Sequence, residues 1–202
     1  MKEEREQRIL DAAMSEFATH SYYEAKTDRI AEIAKVSKGL IFHYFGSKEK
    51  LYLQTVQAAL TILINAVDLD QAPKKDLVQL VVWSTTKKIF LSQEYPLAFR
   101  LVLQSYGNAP KKLQSQLQEF YQEQQKKSYE VIEHVLNQMT LKPEVSKEVA
   151  VSLIQSVFEN IQIEAQRYLK ANPEATATDF EFLFTRTKEM LYFIQYGMCE
   201  VN

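Results

Sequence analysis

Apolar positions recur along this chain with the period of a helix almost throughout. Ile9, Leu10, Ala13, Met14 and Phe17 fall at steps of three and four, which predicts an amphipathic first helix. Ile30, Ala31 and Ala34 give a short second segment an apolar face of small residues, with Thr27 as its expected cap. Lys35-Val36-Ser37 reads as a turn, with Val36 directed to the core. In the segment from Ser37 to Phe45, Ile41 and Phe45 lie four apart, so they share one face and can anchor it. The pairs Lys38/Phe42 and Gly39/His43 make two adjoining rows on other faces. Ser47 then opens a long periodic segment through Leu51, Val56, Leu60 and Leu63. Beyond it Pro73, Pro96, Pro110, Pro143 and Pro173 divide the chain, predicting helices near 75–92, 96–107, 111–139, 144–171 and 177–198. The fold class expected is all-α.

Two short helices joined by a tight turn, with a third behind them, make a helix-turn-helix. The second short helix hides two apolar residues and displays lysine, glycine, histidine and aromatics, as a helix entering a DNA groove must. Ser37 is a suitable N-cap. Gly39 is costly inside a helix, by about 1 kcal/mol against alanine, and allows backbone to approach a surface closely. Alternatively, Gly39 belongs to a loop before a shorter helix.

The run IAEIAKVSKGLIFHYFGSKEKL resembles the signature of the tetracycline-repressor (TetR) family of bacterial transcription regulators: an Ile-Ala pair, a second alanine three residues on, Val-Ser-Lys-Gly, an aromatic-rich element, then Ser-Lys-Glu and Leu. The motif covers about the first quarter of the chain. Lys35 and Ser21 stand where the family usually has glycine, and Phe42 replaces a common tyrosine, which removes one phosphate hydrogen bond. The resemblance implies a DNA-binding head over residues 1–50 and a helical ligand-binding and dimerisation domain over 51–202. It carries DNA contact to Thr27, Ser37, Lys38, Gly39, Phe42, His43, Tyr44 and Lys48. Of these, Lys38 and His43 suit base edges, while Thr27, Ser37, Tyr44 and Lys48 suit phosphates. For each polar member alone, a solvated helix surface is the other reading.

Composition changes this picture little. Four glycines and five prolines in 202 residues favour long helices, and there is no Asn-Gly or Asp-Gly hairpin signal. The net charge of −2 is not that of a basic protein. From Lys26 to Lys50, however, six basic residues (26, 29, 35, 38, 48, 50) face three acids (28, 32, 49), and only charges that touch DNA release counterions. The charged N-terminus lacks a signal-peptide core, no apolar run reaches membrane length, and the single Cys199 has no internal partner. A cytoplasmic protein is expected.

The last two helices are apolar on more than one face. Phe180, Phe184, Thr187, Leu191, Ile194 and Met198 follow a heptad-like seam, with Phe182 and Phe193 off it. Val149, Leu153, Val157, Ile161 and Ala165 do the same on the preceding helix, with Ile154 and Phe158 beside them. A homodimer through these helices is expected, with Val157, Ile161, Phe184, Leu191, Ile194 and Met198 at its interface. The alternative is a fully buried helix in a monomer. Between head and seam lie many large rings. In the resembling family this region holds an inducer pocket, and Trp83, Phe90, Phe99, Tyr106, Phe120 and Glu159 are its candidates here, with His134, Arg100 and Gln155 as further polar groups. Ordinary core is the other reading of these rings.

The function expected is a transcriptional regulator, in particular a repressor that an unidentified small molecule releases from a palindromic operator in double-stranded DNA. No cofactor or metal is called for. Three scattered histidines make no metal site, and no HExxH, P-loop or GxGxxG motif occurs, which argues against an enzyme. The remaining alternative is a helical protein–protein adaptor that binds no DNA.

Overall fold

The structure, a computed structural model, describes residues 2–199. Among these residues the regular structure is helical: α1 (Lys2–Thr19), α2 (Thr27–Ala34), α3 (Lys38–Phe45), α4 (Lys48–Asn65), α5 (Leu77–Glu94), α6 (Pro96–Gly107), α7 (Gln114–Asn137), α8 (Lys147–Ala171) and α9 (Glu181–Met198). Short 3-10 turns lie at Leu69–Gln71, Lys111–Leu113 and Ala177–Phe180, and a lone bridge pairs Leu141 with Cys199. Pro96 falls in the first turn of α6, where its missing N–H costs nothing.

The chain forms two compact units. The first takes residues 1–67 and 91–120, the second residues 68–90 and 121–202. Compactness therefore divides the chain elsewhere than at residue 50. In the first unit α6 packs on both α1 and α4, so the head shares a core with residues far along the sequence. Ile9, Phe17, Ile30, Ile41, Leu51 and Leu101 are completely or almost completely buried there, and the Phe17 and Tyr52 rings meet edge-on at 5.0 Å.

The second unit is built from α8 and α9 packed together with the described parts of α5 and α7. Leu77, Leu80, Val81, Ile132, Val135, Leu136, Ala150, Ile154, Val157, Leu191 and Met198 form one buried cluster. Its one polar tie of note comes from buried Gln195 on α9. The Gln195 Oε1 accepts the backbone N–H of Leu77 at 2.9 Å and of Val78 at 3.4 Å, so a side chain from α9 caps the start of α5.

This arrangement directs most of the seam residues to their own subunit. Leu191, Val157 and Met198 are buried inside the subunit, and Ile161 and Ile194 pack against the same cluster, while Phe184 is half-buried. The row that the heptad spacing picks out on α9 faces its own core. A second row on that helix, Phe182, Arg186, Glu189, Phe193 and Tyr196, is exposed, with Phe193 at 76%. On α8 the exposed row is Val149, Leu153, Ser156, Asn160 and Ile163. Both rows advance by steps of four and three, so periodicity could not say which row was inward.

Candidate nucleic-acid interface

The turn between α2 and α3 is set by backbone chemistry. Lys35, the residue after α2, takes the left-handed conformation at φ 54°, and the Val36 N–H returns to the Ala31 carbonyl at 3.0 Å while the Lys35 N–H bonds that of Glu32 at 3.1 Å. That pair of bonds is a Schellman stop, which normally uses glycine because a Cβ is disfavoured there. It accounts for the departure at position 35 in the sequence: the lysine occupies the glycine's conformation rather than a different turn.

Ser37 then caps α3, its Oγ accepting the Leu40 N–H at 3.2 Å, and its own O–H remains a donor toward the outside. Ile41 and Phe45 are 1% and 2% exposed, so they hold the helix to the head, each burial contributing about 2 kcal/mol. Lys38, Gly39, Phe42 and His43 are on the solvent side, with Phe42 at 36%. Gly39 lies inside α3, which removes the loop reading. A Cβ built on it would come no closer than 4.0 Å, to the Ser37 Oγ, so the head itself has room for a side chain there. Glycine at 39 therefore answers to something outside the subunit or to nothing. Gly46 ends the helix at φ 76°, its N–H bonded to the Phe42 carbonyl at 2.8 Å.

The other DNA candidates divide. Lys38 donates from Nζ to the Asp28 Oδ2 at 2.9 Å, an exposed pair of the kind that holds by less than about 1 kcal/mol and gives way to a better acceptor. Tyr44 is half-buried, its ring against His43 at 5.7 Å. Thr27 is the first residue of α2 rather than its cap; Lys26 precedes the helix and makes no side-chain cap. Lys48 points partly inward: its Nζ donates to the Ala25 carbonyl at 2.6 Å and stands 4.8 Å from the centre of the Tyr22 ring. Burial pushes the Lys48 ammonium below its ordinary pKa, against the pull of Glu49 and Glu16. Burial raises the Tyr22 phenol, and the Glu49 carboxylate beside it adds to the rise. Lys48 thus clamps the start of α4 to the loop before α2, an internal job that motif matching alone does not show.

One residue of this region escaped the sequence reading. Glu16 is only 3% exposed; its Oε1 accepts the Lys26 N–H at 2.9 Å, and its Oε2 faces the His20 Nδ1 at 3.5 Å and the Arg29 Nε at 3.7 Å. The signal was present, since Glu16 is the one charged position in the apolar row Ile9, Ala12, Ala13, Glu16, Phe17.

Residues 9–55 match the family described as bacterial regulatory proteins, tetR family. Over those residues the chain is similar to that family's helix-turn-helix head. RutR of Escherichia coli (strain K12), an HTH-type transcriptional regulator, is 32% identical over 100 residues, which is 48% of this chain and 45% of RutR. AcnR of Corynebacterium efficiens, an HTH-type transcriptional repressor, is 49% identical over 47 residues, 23% of this chain and 25% of AcnR. The chain thus spans less than half of the length of these curated relatives. A TetR-like regulator from Rhodococcus sp. RHA1 has the same fold over 96% of both chains, with TM-score 0.62 at 18% identity. The family match lies over the helix-turn-helix, and the likeness of fold to solved structures extends to the helices behind it.

The effector candidates fall in both compact units. Trp83 packs half-buried against the core of the second unit, with the Lys87 Nζ 5.7 Å from its ring, and Phe90 and Glu159 of that unit are exposed. Phe99, Tyr106 and Phe120 are half-buried in the first unit. Within the second unit a groove of about 340 Å³ runs between α5 and α9, lined by Val81, Thr85, Ile89, Phe184 and Lys188 among others, and none of the six candidates lines it. Burial and the Glu159 charge raise the Tyr129 phenol, while the Gln125 Nε2 donates to it at 2.9 Å and to the Gln162 Oε1 at 2.8 Å. No helix of the described residues is long and apolar enough to cross a membrane.

Proposed function

We propose that this chain is a sequence-specific DNA-binding transcriptional regulator, acting in the cytoplasm as a homodimer. The observation that carries this reading is α3: two buried anchors, Ile41 and Phe45, hold a helix whose other faces offer Ser37, Lys38, Gly39, Phe42 and His43 to solvent. Lysine suits the paired acceptors of guanine and histidine a single base-edge acceptor or a phosphate, while the Ser37 hydroxyl and Thr27 suit phosphates. The capped, anchored geometry delivers these groups as a unit. Phe42, lacking a phenol, supplies apolar contact alone, of the kind a thymine methyl accepts.

Two copies are needed for a palindrome, whose half-sites lie roughly 34–36 Å apart. The exposed rows of α8 and α9 are the surface we assign to the partner subunit, with Val149, Leu153, Phe182, Phe193 and Tyr196 as its apolar members. The regulator is a repressor on this reading, and a small-molecule effector held by the helices beyond the head selects a dimer conformer unfit for the operator. The Escherichia coli and Corynebacterium relatives are named as a regulator and a repressor, which agrees with this assignment.

The test is recovery of genomic fragments by the purified protein, followed by gel shifts over a salt series. One or a few palindromic sites are expected, with affinity falling steeply as salt rises. His43→Ala should cost about 1–3 kcal/mol on the recovered site and little on mixed-sequence DNA. A folded dimer that retains no specific fragment, with and without cell extract as an effector source, would sink the reading.

A further inference from the structure

We infer that Arg29 is an additional phosphate-binding residue of the head and that the buried carboxylate of Glu16 holds its guanidinium ready for that contact. The inference rests on the DNA-binding reading above and names a part of it that the recognition-helix motif does not contain.

Arg29 lies in the first turn of α2, and its side chain is 62% exposed. A guanidinium has five N–H donors. The Nε is turned inward, 3.7 Å from the Glu16 Oε2. No other ion pair or hydrogen bond of the Arg29 side chain occurs among the described residues, so the two terminal nitrogens keep their donors free. Those two nitrogens form the planar fork that matches a phosphate in two parallel hydrogen bonds. In a helix-turn-helix the helix before the recognition helix crosses the nucleic-acid backbone. Arg29 stands at the start of that helix, beside Thr27, and its neighbour Asp28 reaches Lys38 on the recognition helix.

Glu16 is fixed better than a surface acid could be. It is 3% exposed on α1, its other oxygen accepts the Lys26 N–H at 2.9 Å, and His20 faces it at 3.5 Å. The same carboxylate therefore pins both the backbone just ahead of α2 and the arginine one turn into it. Ordering a free arginine costs rotamer freedom, and a side chain already held loses less of it on contact. Lys48 is also close enough for its ammonium to feel Glu16, but its Nζ bonds the Ala25 carbonyl, and the Arg29 side chain, at 62%, is more exposed than His20 at 45%.

Two opposite expectations make Glu16 a positioning residue that can be tested. A carboxylate near DNA repels phosphates, so on electrostatics alone Glu16→Gln should tighten binding. If Glu16 aims Arg29, Glu16→Gln should weaken it, because an amide still accepts the Lys26 N–H but no longer holds the arginine.

The experiment is fluorescence anisotropy over a salt series on the full-length protein. Its probes are the recovered palindromic fragment and a mixed-sequence duplex, with circular dichroism to confirm equal helicity of each variant. Arg29→Ala is expected to weaken both DNAs by a similar factor, about tenfold, and to reduce the slope of log affinity against log salt by about one per head. Arg29→Lys should restore the slope but only part of the affinity. Glu16→Gln should weaken binding several-fold, about threefold or more, in the presence of Arg29 and leave Arg29→Ala unchanged. Unaltered affinity and slope for Arg29→Ala, with wild type binding normally, would overturn the phosphate contact. Tighter binding by Glu16→Gln would overturn the positioning role. A wild type that binds neither DNA would instead remove the regulator reading on which both depend.

Discussion

Helices α3 and α9 both leave aromatic side chains in solvent, and the company those rings keep separates the two surfaces. On α3, Phe42 is exposed among Ser37, Lys38, Gly39 and His43, a small area rich in donors. On α9, Phe182, Tyr192, Phe193 and Tyr196 are all more than half exposed, with Val149, Leu153 and Ile163 exposed on the neighbouring α8. An exposed ring amid donors suits a polyanion, whose phosphates take hydrogen bonds at every step. Exposed rings and aliphatics with few donors between them gain most by excluding water against a like surface. Burial tells a second difference: α3 is held by two side chains, whereas α9 gives a whole row to its own core and still has another left over.

The sharpest way to break this contrast is to mutate the two rows of α9 separately. Leu191→Ala, on the inner row, should destabilise the subunit by about 2–5 kcal/mol in urea unfolding. Phe193→Glu, on the outer row, should leave helicity intact yet convert the proposed dimer to monomer in sedimentation velocity, with binding to the proposed operator lost in parallel. Equal loss of fold in both variants would mean that the outer row is not a partner surface. A smaller effect sharpens the α3 side. Lys35→Gly relieves a left-handed lysine and should raise the thermal midpoint by an amount equivalent to about 1 kcal/mol, without altering affinity for DNA.

The smallest expected effect lies at the start of α4. A backbone N–H and the Ser47 hydroxyl hold the Glu49 carboxyl below the usual carboxylate range. The folded state therefore binds fewer protons than the unfolded chain between its lowered pKa and the ordinary one. Stability from this group is present at neutral pH and is lost as pH falls through that window. Urea unfolding of Glu49→Gln and wild type should diverge at neutral pH and converge in acid; parallel curves would show that the group contributes nothing.

Much of this was legible from residues alone, and the failures share a cause. Pro96 marks the start of α6, and Ser37 caps α3 as expected, because both act within a few residues of themselves. The inner and outer rows of α9 could not be ranked, since each keeps helical spacing and only the neighbours decide which is covered. Periodicity could not show that α6, remote in sequence, packs on α1 and α4. Thr27 was taken for a cap because threonine suits that place; instead Glu16, ten residues before Lys26, supplies the acceptor there. Local chemistry was readable and partnership across the chain was not.

Gly39 separates two kinds of selection. Folding asks nothing of it, for a methyl group would meet only open space and a hydroxyl at 4.0 Å, and any ordinary residue would make a better helix. A library of variants sorted by survival of heating should therefore discard the glycine readily. The same library sorted by occupancy of the operator should keep it. Where those two sortings disagree, the position records a debt to the nucleic acid rather than to the protein, and a heat-hardened version of this chain is liable to have traded away its grip.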